Sequence, residues 1–165
     1  MDYKFEKINL DKDIEKLKEV VTLSFSQTED SNYKEWFSFK QMYKSINENI
    51  GVCIKATNNI GEIVGLIYAE QENPINAIEG TEKWVISILA IIPELTGKQI
   101  GSNLILNLET YAKTQNVKKI FVYTNMEDSK VINFYKNNNY KEVGYIKGYQ
   151  GGDTNNDAIF LLKYL

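Results

Sequence analysis

The 165-residue chain has no histidine, one cysteine, two prolines and no long apolar run. Without histidine, Ser-His and Cys-His nucleophile pairs are excluded, as is every metal site that needs an imidazole ligand. No metal is expected, and proton transfer must run through Asp, Glu, Tyr, Lys, Cys or water. Cys53 lies in the apolar run Val52-Cys53-Ile54 with no second cysteine to pair with, so it reads as a core residue of a protein kept in a reducing compartment. No stretch reaches the roughly 20 apolar residues of a bilayer span, and the first ten residues lack the apolar segment of a signal peptide. A cytoplasmic protein with no membrane partner is the expectation. Clustered positive charge is missing as well: 19 basic residues stand against 22 acidic ones, a formal net charge of -3. That balance argues against a nucleic-acid partner and favours a cationic one.

What is present suits one globular domain spanning residues 1–165, with 43% hydrophobic content to build its core. Residues 3–10 alternate as a strand does and end at Asp11, a good N-cap, after which Ile14, Leu17 and Val21 recur at helical spacing. A second helix is expected over 33–47, on the broad apolar face of Trp36, Phe37, Phe39, Met42, Tyr43 and Ile46. Residues 51–56 and 60–69 are β-branched runs joined by Asn58 and Asn59, which have hairpin chemistry. A polar loop over 71–81 leads to 84–92, a nearly continuous apolar run that reads as a strand buried on both faces. Leu104, Ile105, Leu108, Tyr111 and Ala112 then mark a helix, and 119–124 a strand parallel to the previous one. A short helix over 129–137 and a closing antiparallel pair, 142–149 and 157–165, complete the chain.

The segment from Leu89 to Ser102 carries the clearest chemistry: a buried strand, a glycine-bearing turn and the first turn of a helix follow one another. Such a turn aims unpaired backbone N–H groups, reinforced by the helix dipole, at one point, and so suits a pyrophosphate. Neither a G-x-x-x-x-G-K-[ST] loop nor a G-x-G-x-x-G helix opening occurs, so nucleotide sites of those kinds are not indicated.

Here the chain resembles the GCN5-related N-acetyltransferase (GNAT) family. Leu89-Ala90-Ile91-Ile92-Pro93 is similar to the family's L-A-V-x-P strand end, and Thr96-Gly97-Lys98-Gln99-Ile100-Gly101 to its R-G-x-G-x-G/A loop. Thr96 replaces the usual Arg or Gln, and Gln99 a usual Gly, where a side chain is expected to crowd the close approach that glycine allows. Residues 128–140 resemble N-x-x-A-x-x-F-Y-x-K-x-G-F, with Asp128 for Asn and Asn139 for Gly, a change that suits a left-handed helix end.

The resemblance implies an α+β fold of the GNAT type. Its sheet is mixed but mostly antiparallel, with about seven strands, about four helices on both faces, and a splay between strands 4 and 5. It implies acetyl-coenzyme A as cosubstrate, its pantetheine on the backbone of Leu89 and Ile91. The pyrophosphate would lie on the amides of Thr96, Gly97, Lys98, Gln99, Ile100, Gly101 and Ser102, with Asn125 and Asp128 also at the cofactor. It implies that Tyr135 is the general acid that protonates the departing thiolate.

The acceptor that the resemblance implies is an amine, and an alkylamine near pKa 10.4 costs about 4–5 kcal/mol to deprotonate at pH 7. A strand carboxylate usual in relatives is absent from Val85-Ile86-Ser87-Ile88, so Ser87, through a water, and Glu82 are the candidates for receiving the proton, with direct attack without a dedicated side-chain base as the other course. Glu29, Asp30, Tyr33 and Trp36, with Glu35 and Phe37, compose a region suited to a cationic amine with an apolar body. The leading expectation is N-acetylation of a small molecule such as a polyamine, amino sugar or aminoglycoside, by a chain that could form a homodimer. Acetylation of protein N-termini or lysines, and a non-catalytic acyl-coenzyme A sensor, stand as alternatives.

Overall fold

The β-branched runs become strands and the apolar stripes become helices in the computed structural model, which describes residues 2–26, 33–71, 82–149 and 157–165. In chain order these are β1 (Lys4–Lys7), α1 (Leu10–Phe25), α2 (Phe39–Asn47), β2 (Gly51–Thr57), β3 (Ile63–Gln71), β4 (Lys83–Ile91), α3 (Ile100–Thr114), β5 (Lys119–Asn125), α4 (Ser129–Asn137), β6 (Lys141–Ile146) and β7 (Ala158–Tyr164). The strands form one sheet in the order β1-β2-β3-β4-β5-β7-β6. Every pairing is antiparallel except β4 with β5, which are joined through α3 as a parallel crossover. That parallel pairing covers only Lys83 to Val85 against Lys119 to Phe121. Beyond it β4 stays with β3 and β5 stays with β7, so the sheet opens between them.

Each face of the sheet has its own core. Leu104, Ile105, Leu108 and Ala112 of α3 pack with Val52, Ile54, Ile67 and Ile120 on one side. Leu17, Val20, Val21 and Met42 of α1 and α2 pack with Cys53, Leu66 and Tyr68 on the other. Strand β4 changes face midway: Trp84 and Ile86 belong to the α3 core, Ile88 and Ala90 to the α1–α2 core. The cause is a bulge, because Tyr68 opposes Ile88 while the next residue, Ala69, opposes Ile86. Ser87 is the inserted residue, and a bulge of this kind re-aims the side chains around it.

Several boundaries differ from expectation for local reasons. The N-cap of α1 is Asn9, not Asp11; its Oδ1 accepts from the amides of Asp11 at 3.1 Å and Lys12 at 3.2 Å. The helix expected over 33–47 is a 3₁₀ turn (Tyr33–Glu35) followed by α2, whose cap Ser38 accepts the Gln41 amide at 3.3 Å. Strand β4 is not buried on both faces: its odd-numbered residues are partly open, because they border the split. Of the expected polar loop, Gln71 ends β3 and 72–81 lie outside the described residues. The hairpin turn is as expected, with Asn58 Oδ1 accepting the amides of Ile60 and Glu62 at 3.2 and 2.9 Å. Asn139, after α4, adopts the left-handed φ of 68° that its position asked for. Among the described residues no helix is long and apolar enough to cross a membrane.

Candidate active site

The split holds a cleft of about 1480 Å³, bordered by β4 and β5, the start of α3, α4, and aromatic residues at the end of α1 and the start of α2. Its backbone groups follow from strand alternation. The Ile92 amide donates to Val64 O at 3.0 Å, toward β3, so the amides of Leu89 and Ile91 face the opening. Ile91 N–H donates to Ser24 Oγ at 3.2 Å, which ties the last turn of α1 to the open edge of β4.

The turn into α3 presents a second set of donors. Leu95, Thr96 and Lys98 spend their amides within the turn, on Ile92 O (3.0 Å), Pro93 O (3.1 Å) and Leu95 O (3.3 Å). The amides of Gly97, Gln99, Ile100, Gly101 and Ser102 donate to no acceptor among the described residues. They lie at the positive end of the α3 dipole, on residues that all line the cleft. The backbone conformation that makes this possible is left-handed at two positions, Gly97 (φ 83°) and Gln99 (φ 61°). Gln99 thus holds the conformation a glycine would hold, and its side chain joins the cleft wall. Gly101 has a different reason to be glycine. A Cβ there would lie 3.0 Å from the Phe134 ring and 3.1 Å from Ile91 Cδ1, so α3 and α4 approach too closely for a side chain. Of the loop residues expected at the cofactor, Thr96 lines the cleft and Lys98 does not.

Tyr135 lies on the inner face of α4, 4% exposed, between the rings of Phe134 and Tyr140 at centroid distances of 5.2 and 5.4 Å. Its hydroxyl has no hydrogen-bond partner among the described residues, yet only Tyr140 Oη is both unpaired and sealed off there. The Tyr135 hydroxyl therefore looks into the cleft that the residue lines. Burial pushes its pKa above the ordinary tyrosine range, so it is a proton donor at neutral pH. Asp128 caps α4 by accepting the Val131 amide at 3.0 Å, and Asn125 Oδ1 accepts the Glu127 amide at 3.0 Å. Both remain on the cleft wall, with these side-chain oxygens already engaged.

The remaining expected residues divide. Ser87 and Trp36 line the cleft, Trp36 half exposed. Glu82 does not: it is exposed at the closed end of the β4–β5 pair, where its carbonyl accepts the amides of Lys118 and Lys119. Tyr33 is 6% exposed in the α1–α2 core, its hydroxyl 2.9 Å from Thr22 Oγ1, and is not brought to the cleft. Glu29 and Asp30 lie outside the described residues. One residue was missed from the sequence: Glu70, near the end of β3, borders the cleft and accepts hydrogen bonds from Tyr68 Oη–H at 2.7 Å and Ser87 Oγ–H at 3.4 Å. The available signal was a carboxylate ending a strand otherwise apolar from Ile63 to Ala69.

A model of the acetyltransferase (GNAT) family matches residues 14–140. The chain belongs to the GNAT acetyltransferase family. No curated protein sequence matches it significantly. Solved structures align over almost all of this acetyltransferase. A probable acetyltransferase from Staphylococcus epidermidis superposes with a TM-score of 0.81 at 16% identity over 99% of each chain. The PaiA N-acetyltransferase from Thermoplasma acidophilum, in complex with coenzyme A, gives 0.70 at 20% identity over 100% of each chain. An aminoglycoside 6′-N-acetyltransferase complexed with coenzyme A gives 0.73 at 16% identity over 98% of this chain and 96% of that one. At such identities the likeness establishes the fold: the split, seven-stranded mixed sheet of a GNAT acetyltransferase.

Proposed function

We propose that the protein, acting as one domain over residues 1–165, transfers the acetyl group of acetyl-coenzyme A to a primary amine of a small molecule by direct attack. The observation that carries this reading is the set of five amides at Gly97, Gln99, Ile100, Gly101 and Ser102, unpaired among the described residues and lining the cleft where the sheet parts. They fit a diphosphate, since each offers a donor and the helix dipole adds positive potential. The structural neighbours that hold coenzyme A support the same assignment.

The other residues suit the rest of the reaction. Leu89 and Ile91 offer the open-edge amides for the pantetheine arm, with Ile91 exchanging its bond to Ser24. A backbone N–H in this stretch suits the oxyanion that forms as the amine attacks the thioester carbonyl. Tyr135 then gives its proton to the departing thiolate and is reprotonated from the new amide nitrogen, so no charge is left on either group. Acceptor binding falls to the α1–α2 side, where Phe25, Trp36 and Phe37 offer aromatic walls to an amine with an apolar body. A polyamine, amino sugar or aminoglycoside-like amine suits these walls.

Calorimetric titration with acetyl-coenzyme A, followed by spermidine, glucosamine, kanamycin and a lysine peptide as acceptors, tests the reading. Thiol release with one of the first three is the expected result. Acetylation of the peptide alone would transfer the assignment to protein substrates, and binding without any acetylation would leave a sensor.

A further inference from the structure

Glu70 is a carboxylate with two donors and, among the described residues, no countercharge. It accepts from Tyr68 Oη–H on one oxygen and Ser87 Oγ–H on the other. Among the described residues no lysine pairs with it, and the sequence contains no arginine. The acetyltransferase fold leaves it on the α1–α2 face, because Tyr68 and Glu70 are two apart on β3 and share a face. The bulge in β4 turns Ser87 to that same face. Tyr68 is itself fixed from behind by Ser45 of α2, whose hydroxyl contacts the Tyr68 hydroxyl in the core. Ser38, Gln41 and the aromatic residues Trp36 and Phe37 line the same cleft.

We infer that Glu70 is the group that receives the acceptor's ammonium and takes its proton, in the role a β4 carboxylate would have filled, with Tyr68 as its positioning residue. This rests on the acetyltransferase reading of the cleft. The step balances. The carboxylate removes one proton from R–NH3+ and becomes the acid, and the freed lone pair of R–NH2 forms the C–N bond as the C–S bond breaks. The thiolate gains its proton through Tyr135, and Glu70 later returns the first proton to solvent. The chemistry selects a cationic alkylamine over an amine already neutral at pH 7.

Among the described residues, the groups near Glu70 do not compete for this role. Burial raises the Tyr68 phenol above its ordinary range, an effect the adjoining carboxylate reinforces and the Ser45 hydroxyl opposes, so Tyr68 remains a donor. Cys53 of β2, on the far side of Tyr68, is likewise kept as the thiol by burial. Neighbours from α2 and β4 are the uncharged Ser45 and Ser87.

The test measures kcat/KM for spermidine and for trifluoroethylamine, a weakly basic amine, across pH 6 to 10 in the wild type, Glu70→Gln and Tyr68→Phe. Glu70→Gln is expected to lose about 100-fold with spermidine at pH 7, to recover log-linearly as the pH rises, and to lose little with trifluoroethylamine. Tyr68→Phe should lower kcat/KM for spermidine more than for trifluoroethylamine at pH 7, since the carboxylate loses the hydroxyl that positions it. Calorimetry with acetyl-coenzyme A checks that each variant is folded and binds as the wild type does. An active wild type whose Glu70→Gln variant is unchanged, or is depressed equally at every pH and for both amines, overturns the assignment of Glu70 alone. A wild type that binds no acetyl-coenzyme A and acetylates no amine overturns the acetyltransferase reading and this inference with it.

Discussion

In the proposed reaction Tyr135 takes the acid role because of where it lies, on the cleft wall beside the rings of Phe134 and Tyr140. Burial holds the phenol protonated beyond its ordinary value of 10.0, so loss of this proton should not limit turnover below about pH 10. Tyr135→Phe keeps the packing and removes the donor, and steady-state kinetics should record a fall in kcat of about 100-fold with acetyl-coenzyme A affinity unchanged. Unchanged turnover would leave Tyr135 as packing. The Phe134-Tyr135 motif led from the sequence to a residue that lines the cleft, as the glycine-bearing turn led to the amides of Gly97, Gln99, Ile100, Gly101 and Ser102. Glu70 was not legible there, because its relevance depends on a bulge that turns Ser87 toward it, and no pattern of residue types announces a bulge within Trp84 to Ile91. Glu82 and Tyr33 went the other way: proximity in sequence to the right elements did not bring their side chains to the cleft.

At the scale of elements, the start of α3 is held by two demands that act separately. Gly97 and Gln99 answer a conformational demand, Gly101 a steric one. Gln99→Gly relieves a left-handed non-glycine residue, a strain of roughly 1–2 kcal/mol, offset in part by the greater freedom of the unfolded chain. Thermal denaturation should place this variant between neutral and about 1 kcal/mol more stable. Gly101→Ala must push Phe134 or Ile91 aside, and overpacking of this kind costs about 1–3 kcal/mol. Its melting point should fall by roughly 2–4 °C for each of those kcal/mol, and the displacement of Phe134 should also slow turnover through Tyr135. The sequence could reveal that this turn needed glycines but not which demand each met. The starts of α1 and α2 differ from expectation because Asn9, and not the nearby Asp11, caps the first, and Ser38 caps the second inside the run read as one helix.

The whole molecule combines two cores, one on each face of a sheet that parts in the middle, and places its buried acids in that interior. Cys53, Tyr68, Tyr135 and Tyr140 all have folded-state pKa values raised by burial above their ordinary 9.0 and 10.0. For an acid with a raised folded value, the stabilisation is fully present below the unfolded pKa and is lost as the pH climbs past it. Chemical denaturation should accordingly find stability level through neutrality and falling above about pH 9, by up to about 1.4 kcal/mol per pH unit for each group. The order of strands and helices was legible because alternation and helical stripes are strong over long apolar elements; the split was expected only through the family resemblance, and the double core emerges from the pairing and its bulge. The central claim is that the unpaired amides around 97–102 grip a diphosphate at that split, and titration calorimetry with coenzyme A tests it most directly. The account predicts saturable one-to-one binding with a matching rise in melting point, as for any ligand taken only by the native state. No heat and no stabilisation at saturating coenzyme A would contradict it.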